Sequence, residues 1–152
     1  MTARHARCRS APALALLLLV TTRAVAQADA LPAAALQVQG AWRVEQARTE
    51  PIIDRRHARL DFGADGRLSG HTSCNAFSAG YTLQGAQLRV GAVDMAPQRC
   101  GRLQLEQEDR ILSALELAVT ARVRPDGLLE LRDADGRGVL RGTRWSPDPP
   151  PR

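Results

Sequence analysis

The sequence predicts a small antiparallel β-barrel, or a strongly curved sheet, carrying one packed α-helix. Three observations predict it. Short runs with apolar residues two apart alternate with glycine turns such as Asp65-Gly66, Gln84-Gly85, Asp126-Gly127 and Asp135-Gly136, which is hairpin chemistry. The segment from Leu103 to Ala118 holds no Gly or Pro and repeats its apolar residues at helical spacing. Seven or eight short strands joined by tight turns are enough to close a sheet on itself.

In chain order, Arg4, Arg7 and Arg9 precede an apolar run from Ala11 to Val20, followed by the small-residue triplets Ala24-Val25-Ala26 and Ala28-Asp29-Ala30. That layout predicts a secretory signal peptide over residues 1–26, cleaved after Ala26 or, alternatively, after Ala30. The run stops short of the ~20 apolar residues a membrane span needs, so cleavage and no stable membrane insertion are expected. No cysteine directly follows the run as a lipid acceptor, and a periplasmic or secreted protein results. Residues 27–39 form an Ala-rich leader containing Pro32.

A domain over residues 40–143 follows. Ala41 to Glu45 reads as the first strand with Trp42 facing the core, and Glu50 to Asp54, interrupted by Pro51, as a loop or short edge strand. Three hairpins come next. Ala58–Phe62 turns at Asp65-Gly66 into Arg67–Gly70, and Gly80–Leu83 turns at Gln84-Gly85 into Gln87–Val90. The third joins Val119–Arg124 through Pro125-Asp126-Gly127 to Leu128–Leu131, and a further turn leads to Val139–Arg141. In the helix, Ile111, Leu112, Leu115, Ala118 and Val119 share a face while Glu106, Asp109, Arg110 and Glu116 point outward. Acidic residues in its early turns are expected to suit the positive end of the helix dipole. Residues 144–152 form a Pro-rich tail, expected to be disordered.

Charge excludes one class of partner. The chain carries 21 basic and 16 acidic residues, but four arginines and no acid lie before position 27, so the mature chain is close to neutral. Every basic residue is arginine, scattered among acids and not gathered with aromatics as nucleic-acid binding requires, so no nucleic acid is expected. Signal cleavage removes Cys8 and leaves Cys74 and Cys100, an even pair in an oxidising compartment.

The residues from Ser69 onward carry a family resemblance. Ser69-Gly70, Cys74-Asn75, Gly80 with Tyr81, Met95, Cys100, and Glu108 followed by Ile111, Leu112 and Leu115 resemble the motif of the META domain family. That motif reads Ser-Gly, Gly-Cys-Asn, Gly-x-Tyr, an apolar stretch ending in a second cysteine, and a helix bearing a glutamate. The likeness extends from Gly40 to Gly142. It departs from the pattern at Ser73, at the place of Tyr81 and over Ala96-Pro97-Gln98-Arg99. The resemblance implies a monomeric, non-enzymatic envelope protein without cofactor, binding an envelope protein or a small-molecule ligand. It further implies an association with heat induction and novobiocin resistance, and offers no catalytic residues to carry over.

Each candidate site residue also has a plain reading. Cys74 and Cys100 could form a disulfide, remain buried thiols, supply a nucleophile or hold a metal. The oxidising compartment favours the disulfide, worth ~3.5 kcal/mol in the chain-entropy model. His71 lies three residues before Cys74, so in a strand the two side chains oppose, and a Cys-His pair would need a turn between them. His57, His71 and the cysteines lack metal-ligand spacing, and no metal is expected. Asn75 reads as a turn residue tolerant of left-handed geometry. Glu108 reads as holding the helix start or pairing with an arginine. No nucleophile-base pair or phosphate loop assembles, which leaves binding ahead of inhibition of an exported hydrolase, and both ahead of catalysis.

Overall fold

In a computed structural model of the chain, residues 37–146 are described. The signal peptide expected over residues 1–26, most of the expected leader and the last residues of the expected Pro-rich tail lie outside them.

The described chain gives ten strands and one helix. The strands are β1 (Gly40–Ala47), β2 (Glu50–Pro51), β3 (Arg59–Phe62), β4 (Arg67–His71), β5 (Ala76–Gln84), β6 (Gln87–Val90) and β7 (Asp94–Met95), then β8 (Thr120–Val123), β9 (Leu129–Arg132) and β10 (Gly138–Arg144); α1 (Arg102–Leu117) stands between β7 and β8. Eight of the strands close an antiparallel barrel in the order β1-β3-β4-β5-β6-β8-β9-β10, with β10 returning to pair with β1. The two-residue strands sit outside that circuit, β2 on β1 and β7 on the first half of β5. The predicted barrel with one helix is therefore the fold, and the Glu50-Pro51 segment is a short strand.

Alternation builds the wall. Leu60 and Phe62 on β3 and Leu68 on β4 are fully buried while Arg59, Asp61, Arg67 and Ser69 between them are exposed. Phe77, Ala79 and Tyr81 continue the inner face on β5, and Leu129, Leu131 and Leu140 complete it on β9 and β10. Each such leucine or phenylalanine contributes about 1.5–3 kcal/mol by leaving water. Gly70 faces Phe77 across the β4–β5 pair, and a Cβ there would lie 2.7 Å from the Phe77 ring and 2.5 Å from the Arg59 carbonyl. Only glycine fits.

Helix α1 sits nearest β1, β9 and β10 and delivers Ile111, Ala114 and Leu115 to the core. It starts at Arg102, so no acid falls in its first turn. Glu106 and Glu108 stand beyond the reach of the dipole, contrary to the expectation from sequence, and the helix end is held instead by Gln104 Oε1 accepting the Gly101 amide at 2.8 Å. Trp42 is fully buried, donates its indole N–H to the Val38 carbonyl at 2.7 Å, and lies under the Arg144 guanidinium at 3.9 Å. Arg144 also donates to the Gln37 and Gln39 carbonyls, which ties the chain entering β1 to the end of β10.

Candidate functional site

The residues singled out by the sequence fall into two places. The first is a buried polar cluster between the β4–β5 loop and α1. Thr72, Asn75, Gln107 and Glu108 are all buried there. Glu108 accepts from the Thr72 hydroxyl at 2.6 Å and from Asn75 Nδ2, at 2.9 Å to Oε2 and 3.1 Å to Oε1. Thr72 Oγ1 in turn accepts the backbone amides of Cys74 and Asn75, closing the loop on itself. Asn75 Oδ1 takes the Gln98 amide at 2.8 Å. Gln107 reaches the other way, accepting the Ile53 and Asp54 amides and donating to the Thr72 carbonyl. Two segments of chain, Ile53-Asp54 and the Thr72–Asn75 loop, thus meet on two adjacent helical side chains, and a third, at Gln98, is held through Asn75.

Cys74 and Cys100 are joined by a disulfide with Cα atoms 5.8 Å apart, fastening this loop to the start of α1. His71 Nδ1 accepts the Ser73 amide at 3.0 Å. Burial, with smaller contributions from His57 and Arg59, lowers the pKa of the ring from its ordinary value. Two sequence expectations need correction here. The left-handed residue of the loop is Ser73, at φ 83°, not Asn75, whose side chain is engaged with Glu108 and Gln98. Glu108 bonds Thr72 and Asn75 and no described arginine. Sequence reading passed over Thr72 and Gln107. Gln107 carried a signal: it stands four residues before Ile111 on the apolar stripe, where a polar residue must find buried partners.

Tyr81 belongs to the core on the far side of β5. Its hydroxyl donates to the Gly63 carbonyl at 2.8 Å, its ring meets Phe62 edge-on at 5.2 Å, and burial raises its pKa. Gly80 lies exposed beside it, its carbonyl accepting the Gly91 amide where the chain leaves β6.

The second place is a cleft of about 690 Å³ on the outer wall across β1, β3, β4, β5 and β7, and Ser69 lies on its floor. Small residues make the floor and Arg59, Arg67, Asp61, Asp94 and Trp145 stand around it. Arg59 lies 5.8 Å from the Trp145 ring centre and Arg67 touches Ser78 Oγ at 3.3 Å; neither forms an ion pair among the described residues. A second concavity, about 780 Å³, lies between α1 and the β1–β2 and β9–β10 turns. There Arg110 pairs with Glu50 and Arg137 with Asp135, while the remaining Arg110 nitrogens are sealed from solvent and beyond a ligand's reach. Arg48 and Asp109 stand open there as well, but of the two concavities only the outer-wall cleft adds an indole, Trp145.

Comparison with known proteins agrees with the geometry. The META domain model matches residues 34–144. A solution structure of a protein from Burkholderia xenovorans is 22% identical, with a TM-score of 0.58 over 86% of this chain and 99% of that one. A DUF4847 family protein from Bacteroides vulgatus is 12% identical, with a TM-score of 0.58 over 74% of this chain and 97% of that one. At these identities both show a shared fold. No curated protein matches the chain.

Proposed function

The chain belongs to the META domain family, and from that premise we propose that it is a non-enzymatic, exported protein of the bacterial envelope that binds a ligand in its outer-wall cleft and supports tolerance of heat and of novobiocin-type antibiotics. One observation carries the binding step: the cleft gathers arginines, carboxylates and an indole without satisfying the charges against one another. The buried cluster favours the same conclusion. Its single carboxylate, Glu108, is engaged by Thr72 and Asn75 and lies 8% exposed, which suits a clamp holding the helix to the barrel more than a group exchanging protons with a substrate. The disulfide is consistent with an oxidising compartment.

A deletion strain tests the reading. It is expected to be more sensitive than its parent to heat or to novobiocin and to be restored by the wild-type chain. Ser69→Trp, an outward substitution that fills the cleft floor, is expected to fold normally and fail to restore. Full restoration by Ser69→Trp would remove the cleft from the function. A deletion strain identical to its parent under both stresses would remove the stress role.

A further inference from the structure

Among the open features of the molecule, the outer-wall cleft carries a ligand assignment, and this inference rests on the binding role proposed above. Strand register lays its residues out in rows. Ala41 opposes Asp61, Asp61 opposes Ser69, Ser69 opposes Ser78 and Ser78 opposes Asp94, all in one lateral line. Trp145 extends the line beyond β1, its amide bonded to the Ala41 carbonyl at 2.9 Å. At the strand spacing of ~4.8 Å, Asp61 and Asp94 stand about 14 Å apart with the two serine hydroxyls between them. Arg59 and Arg67 flank this line on either side, one residue pair along β3 and β4.

We infer that the cleft binds a neutral oligosaccharide. The lining has equal numbers of arginines and carboxylates, so a simple anion meets Asp61 and Asp94 and a simple cation meets Arg59 and Arg67. A sugar hydroxyl is both donor and acceptor. It can take a hydrogen bond from a guanidinium and give one to a carboxylate on the same ring, with Ser69 and Ser78 serving either role. The C–H face of a sugar ring is apolar and packs on an indole, and Trp145 stands half-exposed at the end of the row to receive it. The shallow floor of Ala41, Ser69 and Ser78 leaves room for rings lying flat on the sheet. The row is long enough for two or three of them.

The test is a titration of the exported chain, followed by amide NMR shifts, with the N-acetylglucosamine trimer and maltotriose. The zwitterionic tripeptide Ala-Ala-Ala and inorganic phosphate serve as comparison probes. One saccharide is expected to give saturable shifts confined to residues around Asp61, Ser69, Ser78 and Asp94. It should also change the emission of Trp145, the other tryptophan, Trp42, being fully buried. Trp145→Ala and Asp61→Asn should each weaken binding about tenfold or more, with the thermal midpoint checked in parallel, while Arg89→Gln on β6 leaves it unchanged. Saturable binding of the peptide or phosphate with none of either sugar would overturn the saccharide assignment and leave the cleft as a binding site. Silence with every probe, or sugar binding untouched by both cleft substitutions, overturns the inference as well.

Discussion

At the scale of single residues, Glu108 decides how the helix meets the barrel. Truncation to alanine would leave the Thr72 hydroxyl and the Asn75 amide buried without an acceptor, and each stranded donor costs about 1–3 kcal/mol. Glu108→Ala is therefore expected to lower stability by about 2–4 kcal/mol, read from urea midpoints. A loss below about 0.5 kcal/mol, the range of ordinary surface substitutions, would show the cluster to be incidental. Glu130 makes a separate prediction. Burial pushes its carboxyl up, but hydrogen bonds from Arg132 and Arg122 outweigh this and hold it below the usual value of 4.5. A carboxylate depressed in the folded state contributes stability that is present above the unfolded value and lost as pH falls through the folded one. Wild type should accordingly lose stability on acidification below about pH 4.5 more steeply than Glu130→Gln. Parallel pH curves for the two proteins would contradict the assignment.

At the scale of elements, the sequence was legible wherever a period or a turn residue stood alone. Asp65-Gly66, Gln84-Gly85 and Asp126-Gly127 each place a glycine at positive φ where a hairpin turn needs one, and the strands around them follow. The helix was legible from its 111–115 stripe. Strand β7 was not: two residues carry no period, and Asp94-Met95 becomes a strand only because β5 runs longer than β6 and leaves an edge to pair. The β1–β2 turn was also illegible. Arg48 and Thr49 both take positive φ, 56° and 78°, in a position that normally selects Asn-Gly, and a β-branched residue there is strained. Replacing the pair by Asn-Gly is expected to stabilise the protein by about 1–3 kcal/mol, the scale of strain at such positions. A thermal midpoint that does not rise would mean the turn is relaxed by its surroundings. The buried cluster divides in the same way: Asn75 and Glu108 were visible as a motif, but their meeting depends on the loop passing over α1, which no local pattern encodes.

At the scale of the whole molecule, closure of the barrel is uneven, and the weakest line is predictable from register. β1 and β10 pair from Trp42 through Ala47, and β4 pairs with β5 along its whole length. β6 and β8 meet at one register pair, Gln87 opposite Thr120, flanked by the Leu88 amide on the Val119 carbonyl and the Ala121 amide on the Ala86 carbonyl. The chain between these two strands is the long excursion through β7, the disulfide and α1, so the seam joins segments distant in sequence by a few backbone bonds. Local opening follows the places with fewest hydrogen bonds to break. Under native conditions the Leu88 and Ala121 amides are therefore expected to exchange with solvent hydrogen sooner than the amides of the β1–β10 and β4–β5 ladders, and through an opening smaller than global unfolding. The cleft lies on β1, β3, β4, β5 and β7, away from this seam, so it remains assembled when the seam opens. Exchange at Leu88 and Ala121 as slow as in the other ladders would show the barrel to open as one unit. In that case Leu88, buried on β6 beside the seam, would be holding closed a line that its backbone bonds alone do not secure.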